Sequence, residues 1–512
     1  MEKNAIEFLE NAAAKFPNNV ACAHGKAAYT YSELQSKAKG IASQLIKICS
    51  PSDPVLLFME KSCEALFGLW GVVCAGCCYA VVDTALPAHR IRTIISTLDA
   101  KCIITKANHA PMLRSLGFAG QILDADSMLG GAVSSDDEHR LEEIKESICD
   151  VDPLYVMFTS GSAGTPKGVV VSHRAVIDFI SHFTQLFDIQ ADDVVGNQAP
   201  WDFDVSVKDI YSAARTGAAL EIIPKKKFSF PKELIDLLEE KKVTTLIWAV
   251  SALCIMSSRN AFEYKKPAAI NKVIFSGEVM PIKQFRIWRE AYPDAVFANV
   301  YGPTEITCNC LYYIVEKNFT GEALPIGKPF PNRRVFLLDE EGSLVEKTDA
   351  DKIGEICVSG SSVGLGYYNN KAATDANFKQ NPLNKRFAER IYCTGDLAYY
   401  NQDGMMCFYS RKDFQIKHMG HRIELEEIER NADAASGIVR ACCAYDGKNI
   451  ICFYEGGTGK KELARELRQK LPQYMIPAML EQVETMPVTK NGKIDRKKLL
   501  DNLSKKRGPS RA

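Results

Sequence analysis

Apolar positions near the start of the chain recur at helical spacing. Ile6, Phe8, Leu9, Ala12, Ala13 and Phe16 fall on one face of an amphipathic helix. Thr30-Tyr31-Ser32 leads into a second helix at Glu33-Leu34, with Ser32 read as its N-cap. Short apolar runs then predict strands over 54–58, 102–105, 244–248 and 272–275. Helical periodicity returns over 233–241, through Leu234, Leu237 and Leu238, and over 283–291. Such alternation predicts an α/β fold of layered, largely parallel sheets with helices. The composition shifts near residue 410. Beyond it the pattern predicts a charged helix over 423–435, strands over 440–445 and 450–454, and a helix over 460–470. The expected division is a large N-terminal domain, 1–412, and a small mobile C-terminal α+β lid domain, 413–512.

One apolar run bears on location. Residues 66–82 are uncharged and reach the lower length limit of a bilayer span. Gly68, Gly71 and Gly76 interrupt the run and Asp83 ends it, so it reads as a helix to about Ala75, a turn, and a strand over 78–82. No membrane span is expected, and Met1-Glu2-Lys3-Asn4 lacks the apolar core of a signal peptide. Lys+Arg and Asp+Glu both total 63 in 512 residues, which argues against a dominant nucleic-acid or anionic-membrane surface. The 17 cysteines lie mostly in apolar contexts, such as Cys77-Cys78 and Cys442-Cys443, and read as reduced and cytoplasmic. No Cys/His set has zinc spacing.

Chemistry concentrates first at Thr159-Ser160-Gly161-Ser162-Ala163-Gly164-Thr165-Pro166-Lys167-Gly168, directly after the strand-like run 154–158. Glycines turn backbone N–H groups toward an anion, while hydroxyls and Lys167 add donors and charge. The loop suits phosphate but lacks Walker A spacing, because Lys167 follows Pro166 and precedes Gly168. The second cluster is Asn299-Val300-Tyr301-Gly302-Pro303-Thr304-Glu305. Here Tyr301 can stack on a base, Asn299 can read its edge, Thr304 can donate to phosphate and Glu305 can hold Mg2+; an ordinary turn is the alternative. The third is Thr394-Gly395-Asp396, whose carboxylate can accept two ribose hydroxyls or cap a loop.

Together these segments resemble the adenylate-forming enzymes: acyl-CoA synthetases, firefly luciferases and the amino-acid adenylation domains of nonribosomal peptide synthesis. The resemblance covers about residues 5–500. It includes Cys74–Asp83, Phe275-Ser276-Gly277-Glu278, Gly354-Glu355-Ile356, Arg411–Lys417 and Asn491-Gly492-Lys493-Ile494-Asp495. It implies ATP and Mg2+ as cofactors. A carboxylate attacks the ATP α-phosphorus, pyrophosphate leaves, and a thiol then displaces AMP. Lys493 is implied to bridge the carboxylate and α-phosphate, with Glu305 holding the metal and Arg411 reaching the ribose or phosphates. Asp413 is implied to be the hinge, after whose rotation Lys417 and Gly420 approach the thiol entrance. Ser410 departs from the family's usual glycine.

Trp201-Asp202-Phe203-Asp204-Val205-Ser206 resembles the amino-acid branch, which implies that Asp204 meets the substrate ammonium; Asp202 competes for this role, and Asp204 as a cap of a helix over 206–213 is the alternative. The closest look is to D-alanine:carrier-protein ligases and stand-alone adenylation domains. Ser276, Lys208 and Val250-Ser251-Ala252 depart from the D-alanine pattern. Motif spacing places Asp204, Val205, Lys208, Trp248, Ile274, Ser276, Val300, Cys308 and Asn309 on the pocket wall, with Trp248 limiting its depth. Lys208 is expected to face outward as a solvated helix lysine; facing inward, it would pair with a carboxylate or polar group. The expected partners are an amino acid and a separate phosphopantetheinylated carrier protein, since no carrier motif is found in the sequence. The expected enzyme is a monomeric, cytoplasmic amino-acid:carrier-protein ligase. The competing reading is an acyl-CoA synthetase acting on a non-amino acid.

Overall fold

A computed structural model describes residues 2–128, 133–161, 166–488 and 494–507. Two compact units emerge. The first comprises residues 1–84, 95–158 and 168–412; the second comprises 85–94, 159–167 and 413–512.

The first unit is built on two large sheets. The nine-stranded sheet has a parallel centre formed by Val296–Tyr301, Lys272–Ser276, Thr245–Ala249, Val194–Asn197, Ala219–Ile222 and Val20–His24, with antiparallel strands at both edges. The seven-stranded sheet pairs Cys78–Val81, Pro54–Phe58, Cys102–Thr105 and Gln121–Asp124 in parallel. The central strands are buried on both faces, which is why they appear in the sequence as unbroken apolar runs. A third sheet is antiparallel and contains Arg333–Leu338, Gly354–Gly360, Arg390–Tyr400 and Met406–Arg411.

The second unit mixes helices with small sheets. Gln415–His418 and His421–Glu424 form a hairpin, and Ile438–Tyr445, Ile450–Gly456 and Met479–Gln482 form a three-stranded sheet. The helices Leu425–Asp433 and Lys460–Lys470 pack in this unit, where Leu425, Ile428, Leu463 and Leu467 join the strands' apolar residues in one core.

Several expectations move at their boundaries. The helix beginning near Glu33 runs Tyr31–Leu45, and its N-cap is Thr30, not Ser32. Thr30 accepts from Glu33 N while Glu33 accepts from Thr30 N, a reciprocal capping box that Ser32 lies too late to form. The helix predicted over 423–435 begins only at Leu425, because Ile423 and Glu424 pair with Ile416 and Gln415 in the hairpin. The apolar run 66–82 divides into the helix Cys63–Cys74 and the strand Cys78–Val81. Among the described residues, no helix is long and apolar enough to cross a membrane. Thirteen cysteines are buried, while Cys149 is exposed and Cys254, Cys393 and Cys407 are half-buried; all are free thiols.

Two packing features are specific enough to test. Helices Cys63–Cys74 and Tyr31–Leu45 meet at Gly71, where an added Cβ would lie 2.5 Å from Ile41 Cγ2 and 3.2 Å from the Ala38 carbonyl oxygen. Gly71→Ala therefore forces the helices apart. It should cost about 1–3 kcal/mol, seen as a lower urea or thermal midpoint.

The second feature is a chain of buried and half-buried polar groups. Lys61 Nζ donates to Asn197 O at 3.0 Å, Asn197 Oδ1 at 3.2 Å and Gln198 O at 3.0 Å. Asn197 Nδ2 donates to Asp209 Oδ2 at 2.6 Å. Burial pushes the Asp209 carboxyl up to about 7, against the pull of the Asn197 amide and the Lys208 and Lys61 charges. The folded chain then keeps a proton that the unfolded chain has already released above its ordinary carboxylate range, so this group's contribution to stability falls as pH rises toward 7. Asp209→Asn should thus gain on the wild type in urea melts between pH 5 and pH 8. A constant difference across that window would contradict the assignment.

Candidate active site

Three parallel strands deliver the central residues. Their register aligns Ile247 with Ile274 and Ala298, and Trp248 with Phe275 and Asn299, while Ala249 faces Ser276. Successive side chains alternate between faces, so Ile247, Ala249, Ile274, Ser276 and Val300 share one face and Trp248 belongs to the other. The helix Val205–Thr216 lies against the first face. Its Val207 and Ile210 join Ile247, Ile274, Val300 and Cys308 in one apolar cluster.

Two pocket expectations are corrected here. Lys208 does not face solvent: it is 1% exposed, and its Nζ donates to Ser276 Oγ at 3.1 Å and Asn309 Oδ1 at 2.9 Å. Burial pulls its ammonium below the usual lysine range, while the negative charges of Asp204 and Asp209 push the other way. Trp248 is not on this wall. It packs in a separate apolar cluster, edge-on to Phe228 at 5.1 Å, and its indole donates to Gly196 O at 2.7 Å. Strand parity puts Ile247 where Trp248 was expected; because the strand is buried on both faces, its apolar run carries no alternation that marks which face each residue takes.

The other wall residues converge. Asp204 is the N-cap residue of Val205–Thr216, yet its side chain makes no capping hydrogen bond, so helix capping does not account for it. Asp204 and Val205 are half-buried; Ile274, Ser276, Val300, Cys308 and Asn309 are buried. Cys308 Sγ donates to the Asp204 carbonyl oxygen at 3.1 Å, and burial pushes its thiol well up.

Beside this wall the chain doubles back. Gly302 approaches the following segment so closely that a Cβ would lie 2.6 Å from both Asn309 Cα and the Cys308 carbonyl oxygen. Thr307 and Cys308 pay for the turn with left-handed backbones at φ 56° and 66°. Within the turn Thr304 is half-buried and Glu305 buried, and Glu305 Oε1 accepts from the Tyr367 hydroxyl at 2.8 Å. Asn299 donates its amide to Pro325 O at 2.8 Å. Asp396 accepts from both the Tyr301 hydroxyl and Arg411 Nη1. The antiparallel pairing of Asp396 with Arg411 fixes that ion pair.

In the second unit, Thr159 closes the strand Pro153–Thr159 and its hydroxyl contacts Lys167 O at 3.5 Å. Ser160 is buried and donates to Arg422 O at 2.8 Å. Gly161 is buried and Lys167 half-buried; Ser162–Thr165 lie outside the described residues. Asp413 is exposed, and its Oδ1 accepts from Gln415 N at 3.2 Å, as a loop-capping carboxylate does. Lys417 pairs with Arg422 across the hairpin, and Met419-Gly420 form its two-residue turn. Lys493 lies outside the described residues; Val488 and Ile494 bridge on either side of it.

Sequence reasoning missed Tyr367, which has no motif of its own and is brought to Glu305 only by tertiary structure. It also missed a cross-strand group. Cys357 and Cys393 face each other with Sγ atoms 3.7 Å apart, and Glu355 completes a set within 4.8 Å. Both Glu355 oxygens are engaged, one by Lys412 Nζ and one by Gly395 N, each at 2.9 Å.

The AMP-binding enzyme family matches residues 9–368. A D-alanine–D-alanyl carrier protein ligase of Bacillus cytotoxicus is 29% identical over 98% of this chain and 99% of its own length. Gramicidin S synthase 2 of Brevibacillus brevis is 32% identical over 96% of this chain, which spans 11% of that protein. Across the synthases matched, this chain spans 8–19% of their length. Among solved structures, the Vibrio cholerae adenylation domain AlmE, in complex with glycyl-adenosine-5'-phosphate, superposes with TM-score 0.84 at 20% identity over 98% of both chains. The fused adenylation–PCP di-domain NpsA-ThdA from Klebsiella oxytoca gives 0.79 at 21% identity, over 94% of this chain and 93% of its own. Over two thirds of its length matched by one family and its fold shared along almost all of it, this chain belongs to the AMP-binding family of adenylate-forming enzymes.

Proposed function

We propose that this enzyme adenylates an α-amino acid and passes the aminoacyl group to the phosphopantetheine thiol of a carrier protein supplied in trans. The observation that carries the reading is Asp204. It stands half-buried at the head of the pocket wall, next to Val205, with its side chain not spent on capping its own helix. A half-buried carboxylate at that position, beside Lys208, is chemically able to receive the ammonium of an amino acid as well. The carrier-protein ligase matched over 99% of its length supports the thiol acceptor, and the free thiols and ATP dependence suit the cytoplasm.

The chemistry divides into two displacements. The substrate carboxylate attacks the α-phosphorus, the bond to the β-phosphate oxygen breaks, and pyrophosphate leaves. The carrier thiolate then attacks the acyl carbon and AMP leaves with the anhydride oxygen. The first step joins two anions, so charge compensation dominates its barrier. Lys493 is proposed to bridge the reacting oxygens. Lys167 and the hydroxyls of Thr159 and Ser160 take the leaving phosphates, and Asp396 and Arg411 take the ribose side. Glu305 offers hard carboxylate oxygen in a buried turn and is suited to Mg2+. The metal, when bound, neutralises phosphate charge. Asp413 is proposed as the hinge, with Lys417 and Gly420 at the thiol entrance.

ATP–pyrophosphate exchange tests the reading against both enantiomers of every amino acid and against matched acids lacking the amine. Exchange should require the amine; equal exchange with an amine-free acid would favour an acyl-CoA synthetase. Lys493→Ala should lower exchange at least about a hundredfold without shifting the melting midpoint, and near-normal exchange would remove Lys493 from the mechanism. Asp204→Ala should raise KM for the amino acid far more than KM for ATP.

A further inference from the structure

The cross-strand thiols Cys357 and Cys393 take no part in adenylation as proposed above. They oppose one another on the antiparallel strands Gly354–Gly360 and Arg390–Tyr400. Directly paired residues in such a ladder have Cα atoms about 4.5–5.5 Å apart, inside the range that a disulfide spans. The Cys357 thiol donates to Cys393 Sγ at 3.7 Å, so the two side chains already point at each other. Cys357 is fully buried with Leu338 and Ile391, whereas Cys393 is half-buried and packs against that cluster. A metal ion here would have to compete with Lys412 Nζ and Gly395 N for the Glu355 oxygens.

We infer that Cys357 and Cys393 are a reversible oxidation site, and that the disulfide they form lowers the enzyme's affinity for ATP. Exposure sets the order of events. Cys393 is the thiol that a peroxide reaches. The hydrogen bond from Cys357, helped by the Lys379 and Lys412 charges, holds it below the usual thiol range against burial and the Glu355 charge. The Cys393 thiolate attacks one peroxide oxygen, the O–O bond breaks, and hydroxide leaves to become water. Cys357 gives up its proton and attacks the resulting sulfenic sulfur; the S–O bond breaks and a second water leaves. The two thiols lose two electrons to the peroxide, and both thiol protons end in water. A small dithiol reverses the bond. The product is uncharged and suits the apolar company of Leu338 and Ile391. Cys443 and Cys452 also oppose each other, across Ile438–Tyr445 and Ile450–Gly456, but both are fully buried and closed to an oxidant in the folded chain.

The link to ATP runs through the next residue. Thr394 Oγ1 donates to Ile356 O at 2.9 Å and accepts from Asp396 N at 3.0 Å. Bonding sulfurs that now stand 3.7 Å apart draws the two strands together beside the turn that presents Asp396. This effect rests on the reading that puts the ATP ribose at Asp396; the crosslink itself does not.

The test treats the enzyme with hydrogen peroxide, alkylates the remaining thiols and maps the peptides. The peptide bearing Cys357 should be joined to the peptide bearing Cys393, and dithiothreitol should part them. In pyrophosphate exchange the oxidised enzyme should show a KM for ATP raised roughly threefold or more, restored by dithiothreitol. Cys393→Ser should keep its KM through the same treatment. Absence of the joined peptide overturns the site, and the mapping needs only the wild type, whether or not the variant folds. A joined peptide with an unchanged KM for ATP overturns the effect on affinity. A zinc ion held by the purified wild type and missing from Cys393→Ser would make the pair a metal site and overturn the inference. If the reduced enzyme exchanges with no acid at all, the adenylation reading fails, while the joined peptide still decides the oxidation site.

Discussion

The parallel register of Thr245–Ala249, Lys272–Ser276 and Val296–Tyr301 is the constraint on which the rest of the site depends. Parallel strands end at one edge, and the crevice outside their carboxyl ends is where α/β proteins assemble ligand sites. Ser276 and Tyr301 are the last residues of their strands, so the acid pocket and the nucleotide turn start from adjacent chain ends. A one-residue slip of Lys272–Ser276 would put Phe275 or Gly277 where Ser276 stands and take that anchor from Lys208.

Charge is handled differently on the two sides of this edge. Asp396 is held by the Tyr301 hydroxyl and the Arg411 guanidinium, an ion pair reinforced by neighbouring strand positions. Lys61, Lys208 and Asp209 make no such direct ion pair among the described residues. Neutral groups hold them, chiefly the Asn197 and Gln198 carbonyls, the Asn197 and Asn309 amides and the Ser276 hydroxyl, while Asp209 Oδ1 has no hydrogen-bond partner among the described residues; burial moves each of the three toward its neutral form. Neutral hydrogen-bond partners hold a buried charge in place without quenching its field.

Much of this was legible in the sequence, for identifiable reasons. Strands buried on both faces leave unbroken apolar runs, and Pro54–Phe58 and Cys102–Thr105 fall where those runs predict them. The Thr159–Gly168 segment and the Tyr301–Glu305 turn stand out in the sequence because their candidate groups lie in contiguous residues. Orientation was harder. The Lys208 side chain faces inward because Ser276 and Asn309, 68 and 101 residues away, offer it oxygens, and nothing local to the helix encodes that. Trp248 was assigned to the wall by spacing, although strand parity excludes it. Ile423 and Glu424 read as the start of a helix until their pairing with Ile416 and Gln415 is known.

The close approach at Gly302 has an evolutionary consequence. Any side chain there would collide with the backbone of Cys308 and Asn309, so the nucleotide turn and the far wall of the acid pocket share one rigid backbone. The side chains at 308 and 309 project from that backbone, while 205, 208 and 276 stand on a separate helix and strand. Exchanges at those side chains can therefore accumulate while the turn around Gly302 keeps its shape. Drift at Gly302 itself would disturb the turn and the wall at once.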